Sequence, residues 1–163
     1  MTTTYDLYEI PTKTGSMTIL PTVRSLREAQ VLNKDFPAIL TVGPRPSEVK
    51  FGHANHMIQT FGDVTIDSWQ APKKFHVEEI VQFGIDNEED ILVHCHQGMS
   101  RSTSSAIGIL LARGVEAETA VSSLRHIHPA GRPFIPNPIV IGFLAEMFNA
   151  PDLPKIVKHY EFW

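Results

Sequence analysis

The sequence predicts an α/β fold, with a central, mostly parallel sheet flanked by helices. Three observations carry this expectation. Ala38–Val42 and Ile91–Val93 are apolar runs of strand length bounded by turn residues, the pattern of strands buried on both faces. Other stretches place apolar residues at helical spacing and are opened and closed by capping residues. The two patterns alternate along the chain, as they do when helices connect parallel strands.

Taken in order, Met17–Leu20 reads as a short strand. Ser25 to Asn33 reads as a helix, because Ser25 can cap it and Glu28, three residues on, can complete a capping box. Ala38–Val42 is the first buried strand and stops at Gly43-Pro44. Residues 43–53 make a polar, proline-containing loop on which Arg45 and Lys50 are solvated charges able to meet an acidic partner. His56 to Asp67 alternates loosely and suggests one or two strands. Ala71 to Gly84 reads as a helix with Pro72 near its start and Phe75, Ile80, Val81 and Phe83 available for packing. After the Ile91–Val93 strand, Arg101 to Arg113 reads as a helix that Gly114 stops. Ala117, Ala120, Val121 and Leu124 lie on one face of the next helix. The last helix opens with Asn137 as cap and Pro138 at its first position, and presents Ile141, Leu144, Ala145 and Phe148 to the core. The tail, 151–163, ends in Tyr160, Phe162 and Trp163, which are expected to pack back on the domain.

The 163 residues suit a single domain, with its core between about residues 15 and 150. Hydrophobic residues at 42% and charged residues at 20% exclude a disordered chain, a collagen-like repeat and a coiled coil. A net charge of −4 argues against a dedicated nucleic-acid binder. The N-terminus, MTTTYDLYEI, lacks the basic and apolar segments of a signal peptide, and the longest apolar stretch, near Ala106–Ala112, is too short to cross a membrane. A cytoplasmic location is therefore expected. Cys95 is the single cysteine, which excludes an intrachain disulfide and fits a reducing compartment.

The chemistry gathers in Val93-His94-Cys95-His96-Gln97-Gly98-Met99-Ser100-Arg101-Ser102. A buried strand runs into a short loop, and the loop into a helix. If the loop curls back, its N–H groups meet the positive end of the helix and form a cradle for a phosphate. Gly98 permits a backbone conformation closed to other residues. Arg101 can grip two oxygens at once, which a lysine does less well. The same field favours the nucleophilic thiolate at Cys95. Neighbouring strand residues point to opposite faces, so His94, Cys95 and His96 converge poorly on a metal, and no metal or organic cofactor is expected.

This stretch resembles the His-Cys-x5-Arg-Ser/Thr signature of the cysteine-dependent protein tyrosine phosphatases, and Gly98 to Ser102 looks most like the small dual-specificity branch. The likeness extends through Thr103–Arg113, Ala117–His128, Arg132-Pro133 and Asn137, and more weakly back to about residue 15. It implies a phosphotyrosine-phosphatase-like fold with Cys95 as nucleophile, forming a phosphocysteine. Arg101 and the amides of His96, Gln97, Gly98, Met99 and Ser100 would hold the phosphate. Ser102 would hydrogen-bond the sulfur and help it leave, His94 would orient the loop, and Asn137 would help position it. Arg132 reads as a solvated turn cation, with a rim contact to substrate as its alternative.

The resemblance also calls for an aspartate that protonates the leaving oxygen and then activates water. Asp63 lies thirty-two residues before Cys95, near the family's usual interval. Asp67 heads a strand-end, loop and helix sequence, Asp67-Ser68-Trp69-Gln70-Ala71-Pro72, and context favours it, with Asp63 as the alternative. The expected substrate is a phosphorylated protein, phosphotyrosine first, with phosphoserine or phosphothreonine as the wider option. His96-Gln97 lacks the lysines of phosphoinositide phosphatases, and the loop lacks the wording of enzymes that act on RNA 5′ ends. Such non-protein phosphates, and a phosphate-binding module without turnover, are the alternatives.

Overall fold

The computed structural model describes residues 8–163, so most of the N-terminal segment read above as carrying no leader lies outside the described residues. The described residues form six strands and six α-helices: β1 (Glu9–Pro11), β2 (Met17–Ile19), β3 (Thr22–Arg24), α1 (Leu26–Leu32), β4 (Ala38–Val42), β5 (His56–Gln59), α2 (Lys74–Asp86), β6 (Ile91–His94), α3 (Arg101–Ala112), α4 (Ala117–Ile127), α5 (Pro138–Met147) and α6 (Leu153–Tyr160). β1 and β2 form an antiparallel ribbon, and β3-β6-β4-β5 form a four-stranded, all-parallel sheet. The expected α/β architecture is the observed one.

Alternation along the two central strands sorts their side chains onto two faces. Ile39 and Leu92 meet Ala29 of α1 and Phe36 on one side. Leu40, Val42, Ile91 and Val93 join the larger core, with residues of α2 through α6, on the other. α3 runs through this core with every residue from Ser102 to Leu111 buried. The loop between β6 and α3 therefore emerges at the carboxyl end of a central strand, where parallel sheets place their ligands.

Local chemistry explains the element ends. Ser25 Oγ accepts from Glu28 N–H at 3.2 Å while Glu28 accepts from Ser25 N–H at 2.9 Å, a complete capping box. Asn137 Oδ1 accepts from the N–H groups of Ile139 and Val140, and Pro138 occupies the first turn of α5. Gly114 closes α3 at φ +84°.

Several expectations are corrected. β1 and β3 have only three residues each and carry no periodicity of their own; β3 exists because it pairs in parallel with Leu92–His94. Only His56–Gln59 of the 56–67 stretch is a strand, and the rest is loop. α2 begins at Lys74, after Pro72, which leaves Phe75 in its first turn, 56% exposed rather than packed. The tail forms α6, whose Leu153 and Val157 are buried; Tyr160 and Phe162 pack against the core, while Trp163 stays 86% exposed. The spacing of Leu153, Ile156, Val157 and Tyr160 is the helical signal that marks α6. Among the described residues no helix is long and apolar enough to cross a membrane.

Candidate active site

The loop after β6 turns four of its carbonyls outward. Cys95 O faces His94 Nδ1 at 3.0 Å, and His96 O accepts from Leu26 N–H at 3.1 Å. Met99 O accepts from Ile135 N–H at 3.0 Å, and Ser100 O accepts from Asn137 N–H at 3.3 Å. The hydroxyls of Thr103, Ser104 and Ser105 donate back to Met99, Ser100 and Arg101 carbonyls, holding the first turn of α3 to the loop. A trans peptide points its N–H opposite to its C=O, so carbonyls held outward leave amides facing inward. Gly98 N–H donates to Cys95 Sγ at 3.2 Å. Gly98 lies at φ +74°, and a Cβ there would come within 2.9 Å of the Arg24 carbonyl carbon, so glycine is required on both counts.

Cys95 is 3% exposed, with Ser102 Oγ 3.2 Å from its sulfur. The Gly98 amide donates to the sulfur and the Ser102 hydroxyl lies within hydrogen-bond reach of it, where the loop enters α3. Arg101 folds back beside the loop, donating from Nη1 to Phe61 O at 2.7 Å and from Nη2 to His96 Nδ1 at 3.0 Å. Its buried Nε has no hydrogen-bond partner among the described residues. A buried, unpaired guanidinium donor is suited to an oxyanion. His96 Nδ1 accepts from Arg101, which assigns the ring proton to Nε2, and that nitrogen lies 3.2 Å from Glu48 Oε1.

Gly43 ends β4 at φ +114°, and a Cβ there would lie 2.5 Å from Arg101 Cζ. Gly43→Ala is expected to displace the guanidinium and to lower kcat/KM for an aryl phosphate by about 10- to 100-fold. Steady-state assays and a melting curve check this, with the melt separating loss of geometry from loss of fold.

The two aspartates are placed differently. Asp63 Oδ1 accepts from Ser100 Oγ at 2.7 Å and from Asn137 Nδ2 at 2.9 Å, and Asn137 Nδ2 also donates to Val64 O at 3.0 Å. Asn137 thus caps α5 with its side-chain oxygen, holds the Asp63 segment with its side-chain nitrogen, and meets the cysteine loop with its backbone N–H. Asp67, which sequence context favours, is turned to solvent: its side chain is 90% exposed and pairs with Lys73 at 3.2 Å.

His94 is fully buried, and burial pushes its imidazole down to about 4, so it is neutral at physiological pH. Arg132 is more than a turn cation: Nη1 lies 2.8 Å from Glu28 Oε1. Burial raises the Glu28 carboxyl, but hydrogen bonds from Arg132 and Ser25 outweigh it and bring the group down to about 2. Arg45 donates its N–H to Glu48, and Lys50 is exposed. Gln97 is exposed at the loop's outer edge.

A cleft of about 890 Å³ opens in front of Arg101, bounded by Gly43, Glu48, Phe61, Asp63, Trp69 and His76. Asp63 lines it and Asp67 does not. Sequence reasoning missed Gly43, Glu48 and Phe61 as site residues. Phe61 acts through a backbone carbonyl, which leaves no trace in residue type, whereas Gly43 after an apolar run was visible only as a turn.

The fold so positioned is that of the small dual-specificity phosphatases. No protein-family model matches the chain, and no curated protein matches its sequence. Solved structures do match: human DUSP28 has a TM-score of 0.61 at 17% identity, over 80% of this chain and 92% of that one. DUSP15 has a TM-score of 0.56 at 20% identity, over 85% and 88% of the two chains. Tk-PTP in its active form has a TM-score of 0.53 at 17% identity, over 82% and 92%.

Proposed function

We propose that the chain is a phosphomonoester hydrolase of the protein-tyrosine-phosphatase type. The observation that carries the reading is the loop itself: carbonyls held outward, Gly98 N–H on the Cys95 sulfur, and, at the end of the same loop, an Arg101 whose buried Nε has no partner among the described residues. In the first step Sγ attacks phosphorus, the S–P bond forms and the P–O bond breaks. Arg101 and the loop amides hold the equatorial oxygens, and Asp63 gives its proton to the leaving oxygen. In the second step Asp63 takes a proton from water, the water oxygen attacks phosphorus, and Ser102 stabilises the departing thiolate. Asp63 takes this role in place of Asp67 because it lies at the loop and lines the cleft.

The substrate is a phosphorylated protein, phosphotyrosine first, with phosphoserine or phosphothreonine as the wider range. No metal enters the steps. A free thiolate nucleophile also suits a reducing compartment, which supports a cytoplasmic location.

Asp63→Asn is expected to lower kcat by about 10²-fold on a phosphate monoester with a poor leaving group, with little change in phosphate binding. Asp67→Asn is expected to leave kcat near the starting value. Parallel kinetics on the two variants decide the assignment. If only Asp67→Asn is slow, the acid is misassigned; if neither is slow, the chain lacks the acid this reading needs.

A further inference from the structure

The carbonyls of His96, Met99 and Ser100 each accept a backbone N–H from another segment, those of Leu26, Ile135 and Asn137. Cys95 O instead faces the ring of His94. His94 in turn sits in a chain of side chains across the sheet. Thr41 on β4 is in register with His94 on β6, and its Oγ1 lies 2.7 Å from His94 Nε2. The same oxygen lies 2.7 Å from Nε2 of His56 on β5. Thr41 and His94 are fully buried and His56 is half-buried. Phe51 packs beside both rings, 5.4 Å from His56 and 5.5 Å from His94 between centroids.

The chemistry of these groups gives the chain a single direction. A carbonyl can only accept, so the Nδ1 that faces Cys95 O must carry a proton. His94 is neutral, because its burial outweighs the hydrogen bond to Cys95 that favours the charged form, and His56 and His96 face it as further disfavouring groups. Its Nε2 is therefore bare and accepts from Thr41. The hydroxyl has one proton, spent on His94, so its oxygen accepts from His56 Nε2–H. Burial likewise lowers the His56 imidazole, with His53 facing it; in either charge state His56 can still donate from Nε2.

We propose that Thr41 and His56 are positioning residues that fix the His94 tautomer and, through it, the peptide following Cys95. With Cys95 O turned toward His94, the His96 N–H on the same planar peptide points the opposite way, into the anion cradle. The opposite tautomer would set a lone pair against the carbonyl and free that peptide to rotate. This role rests on the proposed phosphate-binding function of the loop, but its direct readouts do not require turnover.

The test compares Thr41→Val, Thr41→Ser and His56→Phe, the last keeping a ring beside Phe51 while removing the donor. Long-range 1H–15N NMR reports the His94 tautomer, and inorganic phosphate titration reports the cradle. The wild type should show a single Nδ1–H tautomer. Thr41→Val should lose it and bind phosphate about tenfold more weakly, with kcat/KM falling in step and the pH profile of Cys95 alkylation moving. Thr41→Ser should restore both readouts, and His56→Phe should show a mixed tautomer without a collapse in melting temperature. An unchanged tautomer, or unchanged phosphate affinity in a folded variant, overturns the proposal. Activity that persists in Cys95→Ser while the Thr41 variants behave as stated would overturn the phosphatase reading and leave the relay supported.

Discussion

Cys95→Ser should remain folded, bind inorganic phosphate or vanadate, and lose hydrolysis of an aryl phosphate by at least about 10⁴-fold. The site explains each part. The residue is 3% exposed at the end of β6, and serine fills nearly the same volume. Gly98 N–H and Ser102 Oγ sit 3.2 Å from the sulfur and can hydrogen-bond a hydroxyl in its place. The cradle amides and the Arg101 guanidinium are untouched, so anion binding survives. The hydroxyl is far harder to ionise than a thiol and has no base beside it, so no nucleophile forms. A melting curve, a phosphate titration and steady-state kinetics on one preparation separate fold, binding and chemistry.

Arg101→Lys is expected to cost about 10²- to 10³-fold in kcat/KM and to weaken phosphate binding as well. Arginine here donates from Nη1 to Phe61 O and from Nη2 to His96 Nδ1, and keeps a buried Nε in reserve. A planar fork does all three from one fixed position. An ammonium on a flexible stem has its donors in a tetrahedron and cannot reproduce both protein contacts and a bidentate grip. Inorganic phosphate affinity and kcat/KM measured on the same variant distinguish this from a loss of charge, because lysine keeps the charge. Near-wild-type values for both would contradict the placement of Arg101 in the cradle.

The legible parts of the sequence were those where one local rule dominates. Ala38–Val42 and Ile91–Val93 were readable because both faces of a central parallel strand are buried, which leaves an unbroken apolar run. Ser25 and Asn137 were readable because capping is decided by residues within one turn. β3 was not, since three residues become a strand only by pairing with β6. Phe75 was expected inside because helical spacing alone does not say where a helix starts, and Pro72 delays α2 to Lys74.

The cysteine loop was legible because its chemistry needs particular residue types at particular offsets. The two aspartates were not separable in the same way. Spacing pointed to Asp63 and context to Asp67, and the contacts that place Asp63 at the loop come from Ser100 and Asn137, 37 and 74 residues away. The relay from His56 through Thr41 to His94 was equally hidden, because it depends on the register between three strands.

In the proposed mechanism Cys95 carries the phosphoryl group between the two steps. Acid quenching of wild-type protein and Asp63→Asn during turnover of an aryl phosphate, followed by peptide mass spectrometry, tests it most directly. The account predicts one phosphoryl group on the peptide holding Cys95, more of it in Asp63→Asn if water attack slows more than thiolate attack, and none in Cys95→Ser. Turnover with the phosphoryl group on another side chain, or turnover that persists in Cys95→Ser, would contradict it.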